Sequence, residues 1–265
     1  MIITIKIGGA MVDKETGNLI EDIGKLSKEH KIVIVHGGGP QISEISKKLG
    51  KEPVFVTSPS GFRSRFTDKE TLDISIMAMA GKVNKSMVAL LRKNQIPAIG
   101  LTGLDGKTLI AERKDKIIAV EEGRKRVIRG DYSGKVTEVN GNLLKLLIEN
   151  GYIPVVAPIG ISYENEPVNL DGDRAAAHIA KAVNADIFIS LTDVPGVIID
   201  GKLVNGLYKY EAEEILKKVK GGMRKKIFAA IEAIELGVKP VVICSGLEKY
   251  PISSALTLKT GTVIK

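Results

Sequence analysis

The chain is 265 residues long, which at roughly 100–200 residues per domain makes one large domain or two intimate lobes. Its 44% hydrophobic and 26% charged residues exclude a disordered chain, and 4% aromatics with no Trp argue against a stacking platform for single-stranded nucleic acid. A formal net charge of +8 fits an anionic ligand, an acidic partner or a solvated charged face without choosing among them.

In chain order, β-branched runs alternate with amphipathic stretches. IITIKI at 2–7 reads as a buried strand ending in Gly8-Gly9, and KIVIVH at 31–36 as a second one ending in Gly37-Gly38-Gly39. A helix is expected from about Pro40 to Leu49, because proline suits the first helical turn. Residues 52–67 read as a hairpin with Ser58-Pro59-Ser60-Gly61 as its turn. Asp68 to Asn94 predicts a long helix or a bent pair, with Leu72, Ile76, Met79 and Val83 at helical spacing. IPAIGLTG at 96–103 is a further strand ending in glycine, and 107–139 reads as a small antiparallel insert. GNLLKLLIENG at 141–151 predicts a helix closed by Gly151, followed by the strand YIPVVAPIG at 152–160.

A second lobe, 168–265, is expected to follow a first lobe of 1–167. It holds a helix over 171–185, a strand DIFISLTDVPG at 186–196 and a short hairpin around Asp200-Gly201. Two helices, YEAEEILKKVKGG and MRKKIFAAIEAIELG, precede the strands KPVVICSG and GTVIK. This alternation predicts an α/β protein: a three-layer α/β/α sandwich around a mostly parallel sheet, with ligands at the carboxyl edge of the strands.

No apolar run approaches the ~18 residues of a membrane span. No export signal is visible. A lone Cys244 excludes an intrachain disulfide framework and sets a cytoplasmic location as the expectation. Three His and one Cys, dispersed, offer no metal set.

Glycine lets backbone approach a ligand closely and frees N–H groups for anionic oxygens. A following helix N-terminus adds a field that favours negative charge. Three glycine clusters, each after a buried strand, therefore suggest phosphate handling, although each alone is also an ordinary tight turn. The chain lacks the Walker pattern GxxxxGK followed by Ser or Thr, and it lacks GxGxxG after its first strand. HGGG at 36–39 superficially matches a hydrolase oxyanion motif, but no GxSxG elbow accompanies it.

Lys6 lies inside an apolar strand, where a lysine is costly unless paired or used. Lys226 lies at a helix start after Gly221-Gly222. Fixed cations and backbone N–H donors stabilise a phosphoryl group in flight without a covalent step. Plainer alternatives stand beside this: Lys6 as a strand-end residue reaching solvent, and Lys226 as part of a basic run with Arg224 and Lys225. In NLDGDRAAAHIA, Asp171 is placed to cap a helix. Asp173 in its first turn suits the positive helix end and could hold lysine ammonium groups.

Together KIGG at 6–9, VHGGGPQI at 35–42, RFTD at 65–68, AGKVNK at 80–85, GLTGLDG at 100–106, NGYIPVVAPIG at 150–160, VNLDGDRAA at 168–176, LTDVPGV at 191–197 and GGM with Lys226 resemble the amino acid kinase family, in its acetylglutamate kinase branch. The resemblance runs through essentially the whole chain. It implies that Lys6 and Lys226 stabilise the transition state and that Asp173 organises them. It also implies that Gly8 and Gly9 cradle the transferred phosphate, that Gly38 and Gly39 bind substrate through N–H, and that Asn169 holds its amino-acid part. ATP would lie against Thr192, Asp193, Gly196, Gly222 and Met223, with Mg2+ held mainly by ATP phosphates. The branch usually reads Gly, then Leu or Phe, then Arg-Val-Thr-Asp at the substrate arginine, whereas this chain has TSPSGFRSRFTD. Register with Thr-Asp favours Arg65, and register with Gly-Phe favours Arg63; an arginine fork suits a bidentate carboxylate.

This form looks like the kinases of the carrier-protein lysine and arginine pathway, whose substrate hangs from a small acidic protein, LysW. The expected reaction is ATP-dependent phosphorylation of the side-chain carboxylate of LysW-bound L-2-aminoadipate, L-glutamate or both. Arg63, Lys51, Lys69 and the segments 113–116 and 124–129 would supply a basic surface for such a carrier. Alternatives are N-acetyl-L-glutamate kinase, a non-catalytic amino-acid or nucleotide-binding regulator, and a nucleic-acid-binding protein, the last lacking any recognisable reading module. A homodimer through the long helix is expected, with no nucleic-acid or membrane partner.

Overall fold

The computed structural model describes residues 1–11, 17–121 and 123–265. Its main sheet has eight strands: β1 (Ile2–Ile7), β2 (Lys31–His36), β3 (Ala98–Thr102), β4 (Ile153–Ala157), β5 (Ile187–Thr192), β6 (Gly206–Leu207), β7 (Val241–Ser245) and β8 (Thr262–Ile264). Their spatial order is β6-β8-β7-β5-β1-β2-β4-β3. Neighbours from β7 through β3 pair parallel, and β8 runs antiparallel to β7. The predicted sandwich is therefore present, with β1 central and paired on one side to β2 and on the other to β5.

The helices are α1 (Gly17–Leu26), α2 (Gly39–Lys48), α3 (Lys69–Lys93), α4 (Gly141–Glu149), α5 (Gly172–Ala182), α6 (Lys209–Lys218), α7 (Gly221–Glu235) and α8 (Pro251–Leu256). On one face of the sheet, Val33, Val35, Val156 and Phe188 pack with α4, α5 and α7 through Leu144, the Ala175–Ala177 run, Ile179 and Ile227. On the other, Ile3, Ile5, Ile7, Ile32 and Ile34 pack with α1, the end of α3 and α8. Strands covered on both sides read as unbroken β-branched runs, as these do. Two helices have no counterpart among the predicted elements, α1 and α8. The end of α8 is capped from afar: buried Asp22 accepts from Ile252 N at 2.7 Å and Ser253 N at 2.9 Å.

α3 is one long helix with a π-helical stretch at Met77–Val83. Asp68 caps it by accepting from Thr71 N at 2.8 Å. It is long and apolar enough to cross a membrane by length and composition, but Leu72, Ile74, Ala78, Met79, Val83 and Leu91 are buried inside the protein. The predicted insert is more than a local hairpin. Leu109–Arg113 and Ser133–Val139 close a small barrel with Ile159–Ser162 and Pro167–Leu170, while Lys116–Glu121 and Arg124–Arg129 form a separate hairpin. Phe55–Thr57 and Arg63–Arg65 form the predicted hairpin after α2.

Candidate active site

β1 and β2 end side by side, so their glycine turns meet. A Cβ on Gly37 would lie 2.7 Å from Gly9 N, and one on Gly9 would lie 2.9 Å from Gly38 N and 3.1 Å from Gly39 N. Such distances exclude any side chain, so here glycine is needed for close backbone approach. Gly8 N donates to Leu191 O at 3.3 Å, which fastens the first turn to the end of β5. Gly39 opens α2, whose N-terminus adds its field to the same spot.

Alternation along β1 sends Ile3, Ile5 and Ile7 to one core and Lys6 to the opposite face, beneath α5. Gly172, at the start of α5, lets that helix settle on the Lys6 stem: a Cβ there would be 3.6 Å from Lys6 Cε. Asp171 caps the helix, accepting from Asp173 N at 3.0 Å and Arg174 N at 3.2 Å. Asp173 then points inward, and its Oδ1 accepts both Lys6 Nζ at 3.0 Å and Lys226 Nζ at 3.0 Å. Lys226 Nζ also reaches Ser190 Oγ at 3.3 Å. Lys6 is 5% exposed and Asp173 and Lys226 are each 9% exposed, so Lys6 does not reach solvent as a strand-end residue would, and Lys226 is buried within its basic run.

A second ion pair holds the two helices in register. Arg174 Nε and Nη2 donate to Glu232 Oε2 and Oε1 at 2.8 and 2.5 Å, a bidentate geometry that fixes angle as well as distance. His178 Nε2 lies 3.3 Å from the same Glu232 Oε1. Burial works to raise the Glu232 carboxyl, but Arg174 and His178 bring it down to about 2.

Burial works to raise Asp173, yet Lys226 and then Lys6 hold its carboxyl well below the usual carboxylate range. Burial lowers Lys226 against the pull of Asp173, and the Lys6 ammonium lowers it further. With both amines protonated, two ammonium groups share one carboxylate among the described residues, and an anion brought to them would offset the second charge. The glycine turns lie at the carboxyl edge of the strands that carry Lys6 and Ser190, where an anion would be received.

Arg65 leans back to this edge. Its Nη2 donates to Gly39 O at 3.0 Å and Ser43 Oγ at 2.7 Å, while Nη1 is buried with no hydrogen-bond partner among the described residues. Burial also lowers the Arg65 guanidinium. Arg63 instead is exposed, with its guanidinium 4.5 Å from the Phe55 ring centre. Asn169 Nδ2 donates to Thr67 Oγ1 at 3.2 Å and so ties the barrel to the hairpin end. His36, the last residue of β2, is buried: Nδ1 lies 2.8 Å from Gly37 O, and Nε2 lies 3.1 Å from Asn84 Nδ2.

Of the predicted nucleotide residues, Thr192 is buried at the end of β5, next to the Leu191 carbonyl that holds Gly8, and Asp193 follows it. Gly196 packs against the last strand and the short hairpin before it, where a Cβ would meet Leu203 Cδ1 and Thr262 Oγ1 at 2.8 Å. Gly222 and Met223 lie in the first turn of α7, one turn before Lys226. Ser190, Asn84 and Glu232 join the site without having been singled out from sequence. Ser190 carried a usable signal, a polar residue inside a fully buried strand, the same signal that marks Lys6. Among the described residues no cluster of three His, Cys, Asp or Glu could hold a metal.

Residues 1–245 match the model of the amino acid kinase family. A LysW-aminoadipate/LysW-glutamate kinase of Saccharolobus solfataricus is 46% identical over 265 residues, covering 99% of this chain and 99% of that protein. Among solved structures, smu.665 from Streptococcus mutans UA159 superposes with a TM-score of 0.81 at 28% identity, over 100% of this chain and 98% of that one. N-acetylglutamate synthase from Neisseria gonorrhoeae, complexed with coenzyme A and N-acetyl-glutamate, superposes with a TM-score of 0.80 at 27% identity; this chain is 99% covered and spans 59% of that one.

Proposed function

Because the chain belongs to the amino acid kinase family, we propose that it transfers the γ-phosphoryl group of ATP to the side-chain carboxylate of L-2-aminoadipate or L-glutamate carried on LysW, in lysine and arginine biosynthesis. The observation that carries this reading is the Lys6–Asp173–Lys226 centre, in which, among the described residues, two buried lysines share one carboxylate at the glycine edge. The full-length relative at 46% identity bears that substrate in its name.

The acceptor carboxylate is already ionised at neutral pH, with a reference value near 4.3 for Glu, so no general base is needed. One of its oxygens bonds to the γ-phosphorus. The bond from phosphorus to the β,γ-bridging oxygen breaks, and ADP leaves with that electron pair. Lys6 and Lys226 offset the negative charge spread over the transferring group, and Asp173 keeps both amines aimed at it. Gly9, Gly38 and Gly39 bring backbone within reach of anionic oxygens, and the close approach of the two turns fits phosphate. Mg2+ would be held by ATP oxygens, with the charge neutralisation such ions supply there. Arg65, whose buried Nη1 has no partner among the described residues, would take the substrate carboxylate that is not phosphorylated, and Asn169 would hold its amino-acid part. In this reading residues 1–167 bind the acceptor and 168–265 the nucleotide, Thr192, Asp193, Gly222 and Met223 included.

The basic segments 113–116 and 124–129, with Arg63, Lys51 and Lys69, would face the acidic carrier and hasten its encounter. We place the enzyme in the cytoplasm as a homodimer through α3, which exposes Met77 and Leu90. The test is ATP turnover with hydroxylamine trapping of the acyl phosphate. Hydroxamate is expected from carrier-linked glutamate or aminoadipate and little from free N-acetyl-L-glutamate. Equal or greater turnover of the free acetylated amino acid would assign the enzyme to that smaller substrate.

A further inference from the structure

The hairpin that carries Arg65 does not stop at the acceptor edge. Its tip is a tight turn in which Gly61 N donates to Ser58 O at 2.8 Å and Phe62 N to Ser58 Oγ at 3.1 Å. Gly61 has φ +81°, and a Cβ there would sit 3.1 Å from Arg224 Nη1. The turn therefore lays Phe62 directly on α7. The Phe62 and Phe228 rings meet edge to face, 5.2 Å between centres and 65° between planes. The Arg224 guanidinium lies 5.0 Å from the Phe62 ring centre. Arg174, pinned by Glu232, lies 5.4 Å from the Phe228 ring.

Arg224 and Phe228 are four residues apart and share one face of α7. Lys226, midway between them, points the other way, to Asp173 and Ser190. The same helix thus presents one face to the acceptor hairpin and the opposite face to the reaction centre. At its other end, the hairpin is fastened to the glycine turn through Arg65 and Gly39 O. Edge-to-face aromatic pairs and cation–π contacts each contribute through defined geometry, so this contact fixes the angular setting of α7.

We propose that Phe62, Arg224 and Phe228 form a latch of positioning residues that links seating of the acceptor hairpin to placement of Lys226. The proposal rests on the reading of Lys226 as a catalytic lysine. None of the three touches the reacting atoms. Their effect is transmitted by the helix, and small displacements of a charge-stabilising group are expensive in rate.

The experiment measures kcat, KM for the carrier-linked acceptor and ATP affinity for Phe62→Ala, Phe228→Leu, the double variant and Phe62→Tyr. Phe62→Ala is expected to lower kcat about 10- to 30-fold, with KM and ATP affinity within about threefold. Phe62→Tyr should restore most of the rate, and the double variant should be no slower than the worse single one, because the two rings act as a unit. Wild-type kcat in Phe62→Ala, a change confined to KM, or losses that multiply in the double variant would overturn the latch. Lys226→Met assayed alongside separates the two levels of the argument. If it is inactive while Phe62→Ala is fully active, only the latch fails; if Lys226→Met is itself active, the reading of the reaction centre fails.

Discussion

Asp173 holds two ammonium groups on one carboxylate oxygen, and that single atom organises the site. Removing either lysine leaves a simple buried pair, whereas keeping both puts two cations on one carboxylate. His36, nearby, is the opposite kind of group. Burial, with help from Lys6 and Lys85, holds its imidazole down to about 4, against 6.5 in an unfolded chain. Between those values the unfolded chain takes up a proton that the folded one refuses, so stability falls as pH drops through 6.5 toward 4. At ~1.4 kcal/mol per pH unit the loss approaches about 3 kcal/mol. Thermal unfolding between pH 7 and 4.5 should show it, with a shallower acid slope in His36→Gln; an unchanged slope would remove His36 from the account. For the paired arginines, Arg65→Ala should raise KM for the acceptor at least tenfold and spare ATP, whereas Arg63→Ala should leave small-acceptor kinetics nearly unchanged. The reverse pattern would move the carboxylate to Arg63. Lys6 was legible because a lysine in a buried apolar strand demands a reason, and Asp173 because it follows a capping aspartate. Phe62, Arg224 and Phe228 were not, since their meeting depends on how distant segments pack and leaves no local pattern.

At the scale of elements, the strand-then-glycine rhythm foretold β1, β2 and β3 with their turns, because strand burial and glycine punctuation are both local properties. It could not foretell that two of those turns interlock. Gly37→Ala tests the interlock: its Cβ would strike Gly9 N at 2.7 Å, backbone that has no rotamer to yield. We expect a stability loss of about 1–3 kcal/mol, in the range of overpacking, and a large fall in turnover. Gly39→Ala has open space around its Cβ and should unfold within a few degrees of the wild type. Equal stability of the two variants would deny the close approach. α8 escaped the sequence because it is only 6 residues long and Asp22, which caps it, is remote in sequence. The insert at 107–139 was legible as antiparallel strands, but its barrel closes only with Ile159–Ser162 and Pro167–Leu170, a pairing no short-range signal encodes.

At the scale of the molecule, β1 sits between strands from both halves of the chain, so a single sheet brings Lys6 beneath α5 and opposite Lys226 of α7. Alternation of elements made the sandwich predictable, while the strand order and the reversed β8 follow from packing. The central claim is that both amines act on one migrating phosphoryl group. Its most direct measurement is kcat for acyl phosphate formation in Lys6→Met and Lys226→Met, with ATP affinity measured in the same proteins. Each should lose at least ~100- to 1,000-fold in kcat, the scale on which a preorganised charge-stabilising donor is missed, and still unfold cooperatively. A kcat within a few-fold of wild type in either would contradict the claim.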